Sequence, residues 1–168
     1  MITADWVDHW SSQYNAAYDV EVLDRVGPRV RERGYYDRDD FLTVGVWKSP
    51  RAKSRMAKNS DQMIHDVTST AFTAPLTIRH RVLTILAGVG VPMASSLLMV
   101  WRPDEHTVID VRAVKSLVAH QEVVDPTPRM YPLYLDYLEV CNKISIRCGR
   151  SLRDVDRALY CANGYGPT

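Results

Sequence analysis

Neither cations nor anions are in real excess in this 168-residue chain: 21 lysines and arginines face 20 aspartates and glutamates, leaving a net charge of +1. The total carries no global signature of a nucleic-acid, membrane-surface or acidic-substrate binder, so any such signal lies in how the charges are distributed. Cysteine is scarce. Cys141, Cys148 and Cys161 are an odd set of three, too few for a cysteine-held four-iron cluster and unsuited to a disulfide framework. Neither an iron–sulfur cluster nor zinc is expected. His9, His65, His80, His106 and His120 are scattered without the spacing of metal ligands. Alternating strand patterns, internal repeats and low-complexity tracts are absent. The opening Met1-Ile2-Thr3-Ala4-Asp5 has neither a basic start nor an apolar run, which reads as a cytoplasmic protein.

Charged side chains are also absent from Val82 to Trp101, between Arg81 and Arg102. Twenty such residues are enough to span a bilayer, but Gly88, Gly90 and Pro92 cluster at the centre and Thr84, Ser95 and Ser96 are polar. Proline removes a backbone donor and turns the residue before it away from helical geometry. The apolar residues fall into two helical stripes, Ile78, Val82, Ile85 and Leu86, then Met93, Leu97, Val100 and Trp101. The pattern predicts two short helices joined by a Gly-Val-Gly turn, and no membrane span. A dinucleotide loop would need a third glycine where Met93 stands, and a phosphate loop would need a Gly-Lys-Ser/Thr ending. Neither is present. A glycine turn at a helix N-terminus aims backbone N–H groups outward, where an anion such as a DNA phosphate can sit.

The run Leu86-Ala87-Gly88-Val89-Gly90, then Ala94, then Val108-Ile109-Asp110-Val111 resembles the helix-hairpin-helix DNA glycosylases, with their hairpin, Gly/Pro-rich loop and catalytic aspartate. Val89 precedes Asp110 by 21 residues, which is that family's interval. The match is specific over about residues 78 to 119; the loop before Asp110 departs from it, with Pro103 but no glycine. The resemblance implies an all-α, glycosylase-like helical bundle acting as a monomer on double-stranded DNA that carries a damaged or modified base. Gly88, Val89 and Gly90 would hold a phosphate, and the hairpin carbonyls would take a monovalent cation; no side-chain metal site is implied. Asp110 would be the catalytic carboxylate. In the bifunctional members a lysine stands two residues after the second glycine. Pro92 occupies that place here and cannot form a Schiff base, which implies release of a base without strand cutting. Lys115, the nearest other amine, reads as solvated surface charge.

Two plainer readings stay open. Asp110 precedes the apolar stripe Val111, Val114 and Val118 and is a favoured helix N-cap, so the hairpin alone would make a non-catalytic DNA-binding module. The turn could also serve only close packing in a structural helical protein.

The remaining signals concern organisation. Residues 1 to 46 carry nine acids and five arginines, whereas 48 to 58 carry Lys48, Arg51, Lys53, Arg55 and Lys58 with no acid. That basic segment is either a solvated helix face or a DNA-backbone contact through Arg51, Lys53 and Arg55. By the resemblance, Trp47, Lys48 and Ser49 would lie near the base pocket, with Trp47 stacking on an extruded base or packing in the core. Tyr131, Tyr134 and Trp6 are further pocket candidates. Helical periodicity predicts eight to ten helices, with Thr3 capping the first through Trp6, Trp10 and Tyr14. Gly27-Pro28 and Gly34 read as breaks, as does the loop Asp125-Pro126-Thr127-Pro128. Short helices are read through Phe41–Trp47 and through Met63, Ile64, Val67 and Ala71. Another carries Tyr134, Leu138 and Cys141 and ends near Gly149; the last opens at Ser151-Leu152-Arg153-Asp154. The expected division of this single unit is a central core at 38–122, with the hairpin helices at 78–102, and a terminal lobe of 1–37 with 123–168.

Overall fold

Short polar side chains open the helices where the sequence places them. In the computed structural model, which describes residues 1–123 and 133–163, the Thr3 hydroxyl accepts from the Trp6 amide to start α1 (Ala4–Ser11). A 3-10 turn (Ala16–Asp19) and a π-helical stretch (Val20–Val26) lead into α2 (Gly27–Arg33), which Gly34 ends with a left-handed φ of 79°. Asp37 caps α3 (Arg38–Lys48), a 3-10 turn (Pro50–Ala52) precedes α4 (Lys53–Met56), and Ser60 caps α5 (Asp61–Thr73). There follow α6 (Leu76–Leu83), α7 (Val91–Trp101), α8 (Val111–Ala119) and α9 (Tyr134–Cys148). Ser151 caps α10 (Leu152–Ala162), its hydroxyl accepting from the Asp154 amide and donating to the Asp154 carboxylate. The ordered structure among the described residues is thus entirely helical. The loop Asp125–Pro128 and Tyr131 lie outside the described residues.

The chain forms two compact units, Ala16–Arg102 and Met1–Asn15 with Pro103–Thr168. Residues 16–37 therefore group with the hairpin helices, and residues 103–122 with the terminal helices. In the first unit α7 is central, packed on α2, α3, α6 and the π-helical stretch. Every residue from Met93 to Trp101 is buried, which accounts for the uncharged run: a helix enclosed on all sides has no use for a polar face. Because α6 ends at Leu83 and α7 begins at Val91, no helix of the described residues is long and apolar enough to cross a membrane. The Tyr36 hydroxyl donates to the Leu97 carbonyl (2.8 Å), and Phe72 stacks on Trp101 with ring centroids 4.1 Å apart.

Three local expectations need correction. The first hairpin stripe is displaced: Ile78 is 46 % and Ile85 64 % exposed, while Leu83 and Leu86 are buried. Beyond Leu83 the amides of Ile85, Leu86 and Val89 bond to carbonyls three residues back, and three residues per turn places His80, Leu83, Leu86 and Val89 on the inward side. Gly27-Pro28 is not a break. Proline is tolerated in the first turn of a helix, and a Cβ on Gly27 would lie 2.7 Å from the Val100 carbonyl oxygen, so this glycine lets α2 approach α7. In α8, Val111 is 52 % exposed, and the buried residues are Ala113, Val114, Ser116 and Leu117. Asp110 is still extended at the cap, so the inward face starts one turn later.

In the second unit α10 is central, packed on α1, α8 and α9. Val155, Ala158, Leu159 and Ala162 form its buried side, and the Ser116 hydroxyl of α8 donates to the Leu159 carbonyl (2.8 Å). Tyr14 lies beyond the end of α1 rather than on it. Gly149 ends α9 with φ 62°.

One charged cluster ties α2 to α3. The buried carboxylate of Asp40 accepts from Arg29 (3.2 Å to Nε) and from Arg33, which also pairs with Asp37. Burial works to raise the Asp40 pKa, but the two guanidiniums outweigh it and hold it below the usual carboxylate range. A depressed pKa stabilises the fold fully above the unfolded-state value near 3.8, and that stabilisation is lost as pH falls through the folded-state value. Asp40→Asn should cost about 2 kcal/mol at neutral pH, discounted because both arginines are partly solvated. Urea unfolding at pH 7 and at pH 3 should show the variant much nearer wild type at the lower pH.

Candidate nucleic-acid site

The hairpin is fixed by side chains that arrive from α4. Gly88 has φ +78°, and a Cβ there would lie 2.9 Å from both the backbone nitrogen and Cγ of Met56 and 3.1 Å from Cβ of Arg55. Glycine is required on both counts, conformation and space. Met56 is itself buried, with its sulfur 2.5 Å from where a Cβ on Gly45 of α3 would stand. Just beyond α4, the Asn59 side chain exchanges two hydrogen bonds with the hairpin. It accepts from the Ala87 amide (2.8 Å) and donates to the Ala87 carbonyl (3.0 Å), while also donating to the Met56 carbonyl (2.8 Å). Asn59 and Met56 were not marked as site residues by any sequence motif, because their partners lie about 30 residues away and share no local period with them.

Gly90 is different. Its backbone is extended (φ −90°, ψ −178°), and a Cβ there would meet nothing closer than 3.9 Å. Its lack of a side chain leaves the start of α7 uncovered, as its exposure shows. The amides of Val91 and Met93 belong to the first helical turn and have no acceptor within α7, while Pro92 supplies none. Val89 is buried beneath them. The first turn of α7 contains no acid, so the positive end of its dipole is uncompensated by a side chain.

The basic segment lies against this turn. Arg51, Lys53, Arg55 and Lys58 are all exposed on the 3-10 turn, α4 and the residue pair after it, and Arg55 adjoins Gly88 through its Cβ. The structure therefore brings Arg55 to the hairpin. Trp47, Lys48 and Ser49 are half-buried at the end of α3, where Ser49 is the C-cap and its amide donates to the Gly45 carbonyl (2.8 Å).

Asp110 belongs to the other unit. It is half-buried and caps α8, its Oδ1 accepting from the Ala113 amide (2.8 Å). The segment leading to it, His106 to Ile109, is buried. Two tyrosines one turn apart on α9 hold it. Tyr137 donates to the Val108 carbonyl (2.9 Å), and Tyr134 donates to the Thr107 carbonyl (3.3 Å) and meets His106 Nδ1 at 3.1 Å. Burial above all, then the neighbouring Cys141, Asp156 and Asp110, pushes the Tyr137 phenol well above its ordinary range, so it remains a donor. Tyr134 is accordingly a core anchor rather than an exposed pocket wall. Trp6 is half-buried with its ring edge-on to His120, centroids 4.8 Å apart. Lys115 is exposed. Cys141 and Cys148 are buried on α9, and burial pushes the Cys141 thiol far up, which makes it an inert core group. His9 and His65 stand against Trp10 and Tyr35, and His80 is buried on α6.

Comparisons of the chain with family models, curated proteins and solved structures give no match.

Gly88→Ala should destabilise the protein by about 1–3 kcal/mol through strain at positive φ, with the steric clash adding to it. Asn59→Ala should cost about 1–3 kcal/mol by leaving the Ala87 amide and carbonyl unpaired. Thermal unfolding followed by circular dichroism measures both. Tyr137→Phe should lose a similar amount, since it orphans the Val108 carbonyl.

Proposed function

We propose that this protein is a monofunctional DNA glycosylase of the helix-hairpin-helix kind, which extrudes a damaged or modified base and hydrolyses its N-glycosidic bond. The observation that carries the reading is the hairpin: a glycine turn locked by Asn59 and Met56, opening on the uncovered N-terminus of α7 with the cation-bearing α4 beside it. A phosphate there accepts from the amides of Val91 and Met93 and is flanked by Arg55, with Arg51 and Lys53 further along the same exposed segment. Trp47, Lys48 and Ser49, which follow the core of α3, remain candidates for the base pocket.

Loss of the base builds positive charge on the deoxyribose, as in glycoside hydrolysis. Asp110 supports that charge through its side-chain oxygens and orients the attacking water. Its carboxylate is held by the cap from the Ala113 amide and the segment leading to it by the two α9 tyrosines, so little reorganisation is needed when the charge develops. Pro92 offers no amine at the position where a lyase would carry one, so the product is an intact strand with an abasic site.

A second reading, a non-catalytic DNA-binding module, is favoured by the same cap: closing the first turn of α8 is a sufficient role for Asp110 without chemistry. Base release separates the two. Wild type and Asp110→Asn would be incubated with duplexes carrying oxidised, alkylated, deaminated or bulky modified bases, and strand breaks scored with and without hot alkali. The glycosylase reading expects breaks that require alkali and fall at least 100-fold in the variant, a loss typical of a missing general acid–base group, while DNA affinity is retained. Breaks without alkali would refute the monofunctional assignment, and salt-sensitive binding with no base release across the panel would favour the module.

A further inference from the structure

The exposed side of α8 carries two cations, Arg112 and Lys115, and the helix contains no acid. Among the described residues neither pairs with a carboxylate. Arg112 is instead held over the ring of Tyr160 on α10, its guanidinium 4.7 Å from the centroid. The neighbouring arginines of α10 are committed within their own helix, Arg153 to Asp156 and Arg157 to Asp154. Arg112 also sits in the first turn of α8, where a cation opposes the helix dipole and costs stability. By contrast α1, α3, α5, α9 and α10 each place an acid in that turn. Folding thus gains little from Arg112 at this position, yet an aromatic ring fixes its direction.

We infer that Arg112 and Lys115 contact the phosphates of the DNA strand beside the nucleotide that faces Asp110, with Tyr160 holding Arg112 in place. The inference rests on the reading of the protein as DNA-directed, and extends its contact surface to the unit that carries the carboxylate. The electrostatics favour such a contact. Asp110 alone would repel a polyanion, whereas two cations at positions i+2 and i+5 from it make the local charge +1. Arg112 and Lys115 are three residues apart, so their side chains are neighbours on one helix face. The cation–ring contact leaves guanidinium N–H groups free to donate to phosphate oxygens in forked geometry.

The test is equilibrium binding of a fluorescent duplex over a series of NaCl concentrations. It uses the full chain, with melting curves confirming that each variant folds. Removing one phosphate contact lowers the slope of log K against log salt by about 0.9. Arg112→Ala and Lys115→Ala should each show that loss, and the double variant about twice it. Tyr160→Leu should weaken binding several-fold at unchanged slope, because the charge remains but is no longer held. Lys143→Ala, an exposed cation on α9 paired with Glu139, should match wild type. An unchanged slope in the double variant overturns the inference, and does so without touching the glycosylase reading if the protein still releases a base. An altered slope in a protein that releases no base from any duplex supports the inference and defeats the proposed chemistry. Loss of binding to phosphatidylserine vesicles but not to duplex would make the patch a membrane contact and overturn the proposal.

Discussion

The close approach of α4 to the glycine turn is the constraint on which the hairpin depends. Met56 fills the space that side chains at Gly45 and Gly88 would claim: its sulfur and terminal methyl lie against Gly45 of α3, and its backbone nitrogen and Cγ against Gly88 of the hairpin. Interiors packed this tightly do not yield smoothly, and a methyl group at Gly88 would have to displace the Met56 backbone as well as side-chain atoms. Asn59 completes the junction by pairing with both backbone polar groups of one residue, Ala87. The turn is therefore determined by tertiary contacts more than by its own two glycines. Gly90 takes an ordinary extended conformation, and its small size serves the opening of α7 rather than the bend.

Each unit is organised around one helix, but the two central helices differ in kind. The α7 helix is buried from Met93 to Trp101 and carries no charged side chain, with only its start reaching solvent, at the hairpin. The α10 helix is amphipathic, burying one face against α1, α8 and α9 while Tyr160 stands on its exposed side. The candidate groups follow this difference. A helix whose body is inaccessible offers only its end, and hence backbone donors suited to an anion. A helix with a solvated face supplies side chains, and Tyr160 uses that freedom to steer a cation on the adjacent α8. Charge is distributed the same way, with the net near-neutrality of the chain concealing a strongly basic stretch after α3.

Much of this was legible in the sequence wherever the determinant is local. The caps at Thr3, Asp110 and Ser151, the stops at Gly34 and Gly149, and the split of the uncharged run into two helices all rest on residues within four positions of one another. So does the core face of α10. The failures share a cause. A change of helical pitch after Leu83 turned the first hairpin stripe by enough to expose Ile85 and bury Val89, and periodicity at 3.6 residues per turn has no means of registering that. Gly27 reads as a break until Val100 is seen against it, 73 residues along the chain. Asn59 and Tyr137 look like ordinary polar and aromatic residues, because the carbonyls they satisfy are distant. The division of the chain into units likewise follows long-range packing that hydrophobic pattern alone does not encode.

The rigidity of the hairpin has a thermodynamic consequence for the proposed phosphate contact. Loops that bind phosphates through backbone amides commonly surrender conformational freedom when the ligand arrives, and that loss subtracts from affinity. Here the ordering has already occurred during folding, since both backbone groups of Ala87 are paired with Asn59 and the left-handed glycine is wedged against Met56. Association at this turn would meet a surface whose shape does not change, so its temperature dependence should reflect the release of counterions and water rather than the freezing of a loop.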